Sequence, residues 1–395
     1  MRRVIAAVCC VLVLPIVLSA CGSGGSSSGG GGGSTSAPIK IGAISSLSGP
    51  FTVPDVSKTA QAVFDDVNAA GGIDGRKIEY SVEDDAVDPA KAAQAARRLV
   101  EDEGVVALAG GGSILECSVN AKYYVAKNVR SVMGVGVDPA CFSSPNIAPV
   151  SNGAFTAVEV NMLYASNVLK HTRVCGIFNN VPGFAPGYEA AVKQWEQLSG
   201  QKLALYLPTV QGDADLTPFV LRAKQAGCQA VVFNGTEQQI VAWVKAAKAQ
   251  NVTGIDWVFT TGGYTSAVAK VLQNAPGLII SSEYAPYTET SDTSLDGWRK
   301  LIAAHHIPPS AFSEAGYLSA TIMVDVLKSI KGPIDRDSVG KALLALTSQP
   351  TPFLGRPYAF GPATKHNPNR SAKYLRLQNG HWQLASPDWV KLPPV

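Results

Sequence analysis

Charged residues are scarce in this 395-residue chain, at 16%, and neither sign prevails: 33 Lys and Arg stand against 30 Asp and Glu, a formal charge of +3. Without Arg2 and Arg3, which lie in the N-terminal leader-like segment, the balance is 31 against 30, or +1. So even a balance offers no basic face to a phosphate backbone, and nucleic acid is not an expected partner. Histidine is rarer still. His171, His305, His306, His366 and His381 are scattered, and the adjacent pair His305-His306 would point about 100° apart on a helix, too far to share a metal comfortably. They read as exposed residues at a helix end. The chain lacks a glycine-lysine phosphate loop, a Gly-x-Ser-x-Gly turn and a His-Glu-x-x-His helix. No catalytic residue, metal or cofactor is expected, and a secreted hydrolase would want a nucleophile–base pair that is missing. What is plentiful is apolar: 46% of residues are hydrophobic, enough for a large core in two lobes of ordinary domain size.

The N-terminus reads as a targeting segment. Met1-Arg2-Arg3 is positive, and the apolar stretch Val4 to Val17 is too short for a comfortable membrane span. Leu18-Ser19-Ala20-Cys21 resembles a lipoprotein processing box, in which Cys21 becomes the lipidated first residue of the mature chain. The plainer alternative is secretion with cleavage near Ala20. Residues 1–20 are thus expected to be a signal peptide and residues 21–37 a lipidated cysteine with a flexible Gly/Ser tether. That places the folded part outside the bacterial cytoplasmic membrane, held to its outer face by lipid alone.

The most informative stretch runs from Asn68 to Ser113. Val63, Phe64 and Val67 share a helix face that Gly71-Gly72 terminates, since glycine tolerates the left-handed backbone. Ile73-Asp74-Gly75-Arg76 makes a tight turn, and Lys77 to Val82 alternates like a strand. Asp88 caps a helix with Pro89 at its first position. Val105 to Ala109 is a continuous apolar run, as in a parallel strand buried on both faces, and it empties into Gly110-Gly111-Gly112-Ser113. Strand, helix, strand and glycine turn make the unit of a doubly wound α/β sheet. Ser113 and Glu116 fit a capping box for the next helix.

Ala69-Ala70-Gly71-Gly72-Ile73-Asp74-Gly75-Arg76-Lys77-Ile78, followed by Glu83-Asp84-Asp85 and Asp88-Pro89, resembles the opening lobe of the branched-chain-amino-acid-type (Leu/Ile/Val-binding-protein-like) solute receptors of ABC transporters. The resemblance implies a type I periplasmic-binding-protein-like fold, two doubly wound parallel-sheet lobes joined by a three-segment hinge. Residues 38–153 plus 286–350 would form the first lobe, and 154–285 plus 351–395 the second, with a hairpin around Asn379-Gly380. It also makes Asp84-Asp85 a turn and cap instead of a catalytic pair. Within that fold, Cys117 and Cys141 both follow neighbouring strands of the first lobe. Cys175 opens a strand beside the one that Cys228 precedes, so bridges Cys117–Cys141 and Cys175–Cys228 are expected, four buried thiols being the alternative.

In doubly wound sheets ligands sit beyond the carboxyl ends of the strands. Those ends put Ser46, Gly112, Ser113, Gly136, Val137, Phe184, Asn234, Thr236, Tyr264 and Tyr284 forward as ligand-binding candidates, with Gly111 and Phe51 beside them. Each has a plain role as cap, turn or packing residue. Val135-Gly136-Val137 stands where the resembling family has a hydroxyl, and Phe184 and Thr236 where it has tyrosines. Thr260 to Tyr264 offers no carboxylate for an ammonium, and neither Asp138 nor Glu237 sits at the matching step. The ligand expected is therefore a less charged organic molecule, aromatic or aliphatic with one polar end. The resemblance implies a monomer that shuts on its ligand and docks on an ABC permease with its ATPase subunits. A branched-chain or other amino-acid receptor, or a sensing module, is the alternative.

Overall fold

The computed structural model describes residues 37–49, 52–181, 183–210, 215–367 and 369–393, except the side chains of Asn180 and Val210. Residues 1–36, which hold the expected signal peptide, Cys21 and most of the expected tether, and Phe51 lie outside the described residues. The described residues belong to one compact unit, Ser36–Val395.

The first sheet arises from β1 (Ile39–Ser45), α1 (Pro54–Ala69), β2 (Ile78–Asp84), α2 (Pro89–Arg97), β3 (Ala107–Ala109), β4 (Gly112–Ser113), α3 (Glu116–Ala126), β5 (Ser131–Val132), β6 (Val135–Gly136) and α4 (Pro139–Ser143). Its order is β5-β3-β1-β4-β6, with β2 paired to β1, and every pair is parallel. The expected turn chemistry is present. Asp88 accepts from Ala90 N and Lys91 N ahead of Pro89. Gly72 has φ +77°, and a Cβ there would stand 2.1 Å from Arg76 O, so no other residue fits. Ile39, Ile41, Ala107, Leu108 and Ala109 are fully or almost fully buried, as strands covered on both faces must be.

The second sheet follows from α5 (Gly153–Leu163), β7 (Val174–Asn180), α6 (Ala185–Ser199), β8 (Leu205–Val210), α7 (Thr217–Gln225), β9 (Ala230–Phe233), α8 (Glu237–Ala249), β10 (Asp256–Phe259), α9 (Ser266–Leu272) and β11 (Leu278–Ser282). The chain then forms α10 (Asp296–Ala304), α11 (Ala311–Ser329) and α12 (Arg336–Ala345), and comes back with β12 (Ser371–Gln378) and β13 (His381–Lys391). The order is β13-β12-β11-β10-β9-β7-β8, parallel from β8 to β11 and antiparallel beyond. The hairpin turn takes Asn379 and Gly380 at φ 50° and 75°, the left-handed pair that matches strand twist.

Helix α11 rejoins the first sheet. A Cβ on Gly316 would stand 2.1 Å from Val56 O, so α1 and α11 touch backbone to side chain-free backbone. Gly110 N donates to Ser319 Oγ (2.7 Å), which in turn donates to Val132 O.

Both disulfides, Cys117–Cys141 and Cys175–Cys228, are formed. Between α12 and β12 the chain runs as a long seam. Gln349 and Tyr358 bridge each other, Tyr358 OH donates to Ala148 O (2.8 Å), and His366 N donates to Phe142 O. Gly355 N meanwhile donates to Ser371 Oγ (3.2 Å) on the other side. Residues 349–367 thus bond to the surroundings of both sheets, and they supply donors to the buried carbonyls of Ala148 and Ser144.

Candidate functional site

On the first sheet the predicted residues gather on one acid. Asp85 is fully buried and accepts from Ser46 Oγ (2.8 Å), Val87 N (3.0 Å) and Ser113 Oγ. Ser113 Oγ also accepts from Leu115 N (3.0 Å) and Glu116 N (2.9 Å). Gly112 N donates to Ser45 Oγ (3.2 Å), and its carbonyl accepts from Ser46 N. Gly136 N donates to Ser151 Oγ (2.9 Å), and half-buried Val137 packs against the core. Asp84 clamps the turn after β1. Burial pushes its carboxyl up, but the Ser48 hydroxyl and the amides of Ala86, Leu47 and Ser48 outweigh that and hold it below the usual range. The turn-and-cap reading of Asp84-Asp85 describes these bonds.

Only half of the predicted capping box forms. Ser113 takes the Glu116 amide, but the Glu116 side chain turns inward, where Tyr124 OH donates to Oε1 (2.8 Å) and Oε2 has no partner. The Tyr124 hydroxyl holds it there. Burial lifts this carboxyl to about 8.

On the second sheet, Asn234 accepts from Asn179 N (2.7 Å) and donates to Tyr188 OH (2.6 Å). Thr236 caps α8 in a full capping box with Gln239. Phe184 packs on Phe155, ring centres 5.5 Å apart. Tyr264 stacks on Tyr287 at 4.3 Å, and its hydroxyl pairs with Thr288 Oγ1 (2.7 Å). Tyr284 is fully buried and reaches the first sheet's edge, its hydroxyl donating to Gly134 O (3.4 Å). The ten residues therefore form clusters at the two sheet edges, and Tyr284 links them. Their side-chain polar atoms already have partners inside the protein. None of them lines either of two cavities, one beside α5 and α6, the other beside Trp382.

Two acids that sequence reasoning passed over lie where the edges meet. Glu314, on α11, is fully buried, and neither of its carboxylate oxygens has a hydrogen-bond partner. Burial pushes it well above the usual range, Arg299 pulls the other way, and Glu283 adds to the rise. Its charge in turn adds to the burial that raises the phenols of Tyr264, Tyr284 and Tyr287. Glu283 accepts from Asn152 N (2.7 Å), and its own carbonyl accepts from Asn369 Nδ2 (2.9 Å). One residue thus joins all three chain passages between the sheets, and burial lifts its carboxyl to about 7. The available signal was a lone acid among small and apolar residues, Ala311-Phe312-Ser313-Glu314-Ala315-Gly316. As for metals, Cys117, Asp138 and Cys141 bring three ligand-type atoms within 4.8 Å. The two sulfurs are bonded to each other, which leaves no thiolate to bind with.

The acids make a pH prediction. Glu116, Glu159 and Glu283 have folded-state values near 8, 7 and 7, above their ordinary one. Between the unfolded and folded values the native state holds more protons, so stability falls as pH rises through that window. The melting temperature is expected to be higher near about pH 5 than near about pH 8. Asp84, depressed, acts oppositely, and only at more acidic pH. A melting temperature that rises steadily across that window would contradict the assignment.

The chain matches the family model described as periplasmic binding protein over residues 38–381. It belongs to that family. It is similar to the leucine-, isoleucine-, valine-, threonine- and alanine-binding protein of Pseudomonas aeruginosa, 24% identical over 78% of this chain and 84% of the relative. With an amino acid binding protein of the same organism it shares 25% identity, and there it spans 58% of the relative's length and 53% of its own. Its fold resembles that of the branched-chain amino acid binding protein LivJ of Streptococcus pneumoniae solved with isoleucine (TM-score 0.75, 19% identity, 90% of this chain and all of that one). It also resembles a solute-binding protein of R. palustris solved with 4-hydroxybenzoate (TM-score 0.73, 17% identity, 90% and 98%). The family is one of extracytoplasmic solute-binding proteins, not enzymes. No helix among the described residues is long and apolar enough to cross a membrane.

Proposed function

We propose that this chain is a lipid-anchored solute-binding protein of an ABC importer. It takes a small organic ligand between the two sheet edges, closes about the segments joined at Glu283, and passes the ligand to a permease driven by its ATPase subunits. It works as a monomer, tethered through Cys21. The observation that carries this reading is Glu314: a buried carboxylate without a hydrogen-bond partner costs a fold stability and is kept where something else uses it. The tyrosines around it give the ligand an aromatic or aliphatic bed, and the acid calls for a polar end that donates hydrogen bonds.

A branched-chain amino-acid ligand is the second reading, and Glu314 with Glu283 is what favours it. These acids, ionising as an ammonium settles beside them, would supply the negative charge that Thr260 to Tyr264 lacks. A thermal-shift screen of the mature protein against amino acids, hydroxybenzoates and short fatty acids separates the two. A true ligand at about a hundred times its Kd adds about 2.7 kcal/mol. Small-angle scattering should report a more compact particle with that ligand. A particle of constant dimensions, with no compound raising the melting temperature, sinks the receptor reading.

A further inference from the structure

A cavity of about 330 Å³ lies away from the sheet edges, between α4, α5, α6 and the seam. Its volume falls at the lower end of small-molecule sites. Two half-buried phenyl rings line it, Phe142 on α4 and Phe155 on α5, and each is seated on a glycine. A Cβ on Gly153 would stand 2.4 Å from the Phe142 ring, and one on Gly187 2.4 Å from the Phe155 ring, so these close approaches hold the rings in place. The charged lining is mainly cationic. Lys365 is exposed, and its ammonium makes no ion pair or hydrogen bond among the described residues. Arg370 is half-buried; its Nε donates to Pro393 O (2.9 Å), and its guanidinium makes no other hydrogen bond among the described residues. Glu159 is the one acid on the lining, 2% exposed, with Oε1 3.7 Å from Arg370 Nη2, an ion pair without a hydrogen bond. Burial lifts the Glu159 carboxyl to about 7 against the pull of Arg370, and the charge of Arg356 also acts on Arg370. Two cations thus stand against one partly neutralised acid that is set back from solvent.

We infer that this cavity is a second small-molecule site, for a carboxylate on a compact aromatic body. The rings of Phe142 and Phe155 receive the body, and Lys365 with the unused donors of Arg370 receives the carboxylate. Water is partly excluded there, so the attraction between unlike charges is stronger than in the open solvent. A neutral isostere of the same shape fills the space but gains none of that attraction. Because α4 belongs to the first sheet and α5 and α6 to the second, an occupant touches both sides of the seam.

The test is calorimetric titration of the mature full chain with phenylacetate, and with phenylacetamide as its neutral isostere. Phenylacetate should bind at least about tenfold more tightly than the amide. Lys365→Met, at an exposed position, should lose most of that preference while leaving the fold intact. Glu159→Gln should bind phenylacetate more tightly than the parent does, because the occupant then replaces the lost partner of Arg370. Ala190→Leu, at an exposed helix position on the cavity wall, should block uptake, so the test stands even where Glu159→Gln fails to fold. Glu314→Gln should leave uptake unchanged, which separates this site from the sheet-edge one. Equal affinity for acid and amide, no uptake, the preference intact in Lys365→Met, no tightening in a folded Glu159→Gln, uptake surviving in Ala190→Leu, or uptake lost in Glu314→Gln would each overturn the inference.

Discussion

Replacing Cys175 and Cys228 together by serine is expected to lower unfolding free energy by about 4 kcal/mol, and replacing Cys117 and Cys141 by about 3.5 kcal/mol. The bridges span 53 and 24 residues respectively. A cross-link mainly restricts the unfolded chain, and the cost of closing a loop grows with the logarithm of its length, so the longer loop gains more. Cys175 sits in β7, opposite Val231 of β9, and Cys228 lies just ahead of β9, so this bridge ties together two strands already hydrogen-bonded. All four cysteines are buried, so each serine also places a hydroxyl in an apolar setting. Urea unfolding of the two double variants checks both magnitude and order. Midpoints unchanged from the parent protein would show that the thiols are not bridged in the exported chain.

The parts of this molecule that were legible in the sequence are those decided locally. Gly71-Gly72, Asp88-Pro89 and Asn379-Gly380 each demand one backbone conformation, and each appears where the residue type requires it. The apolar run Val105 to Ala109 contains the strand Ala107–Ala109, and Ala230–Phe233 is a strand throughout, because continuous apolar residues suit a sheet covered on both faces. The parts that were not legible depend on what meets what across the chain. Glu116 has the spacing of a capping partner, yet Tyr124, two turns along the same helix, draws it inward. That the hydroxyls of Ser46 and Ser113 both donate to Asp85 depends on residues far apart in the chain. The passage after residue 350 carries no local signal at all, since its course is set by carbonyls at Ser144, Ile147 and Ala148. Glu314 is the plainest case. On sequence alone an acid in a helix is read as solvated, and only packing against α1 and the tyrosines removes it from water.

Glu314→Leu is expected to raise the stability of the ligand-free protein by about 2 kcal/mol and to weaken the cognate ligand by about a hundredfold. The two effects have one cause. Both carboxylate oxygens are buried without partners, so folding loses their hydration and gains no hydrogen bond in return. Leucine has a similar volume and needs none. Arg299 is the charge that most favours the ionised acid, but removing Glu314 does not strand it. Its Nη1 bonds Asp296 Oδ1 (2.9 Å) and Asp292 O, and its Nη2 bonds Glu289 O. The ligand, by contrast, loses an acceptor in a site where water is excluded, and there an unmet donor costs the full desolvation penalty. Glu314→Gln keeps the shape and removes the charge, so it should be intermediate in affinity without the gain in stability. Stability also ceases to fall as steeply with rising pH in the leucine variant, because one of the raised carboxyls is gone. Chemical unfolding of the free protein and titration with the ligand from the thermal screen measure the two halves separately. A leucine variant that is less stable than the parent and binds equally well would make Glu314 a structural acid, and the recognition site would have to be sought elsewhere along the sheet edges.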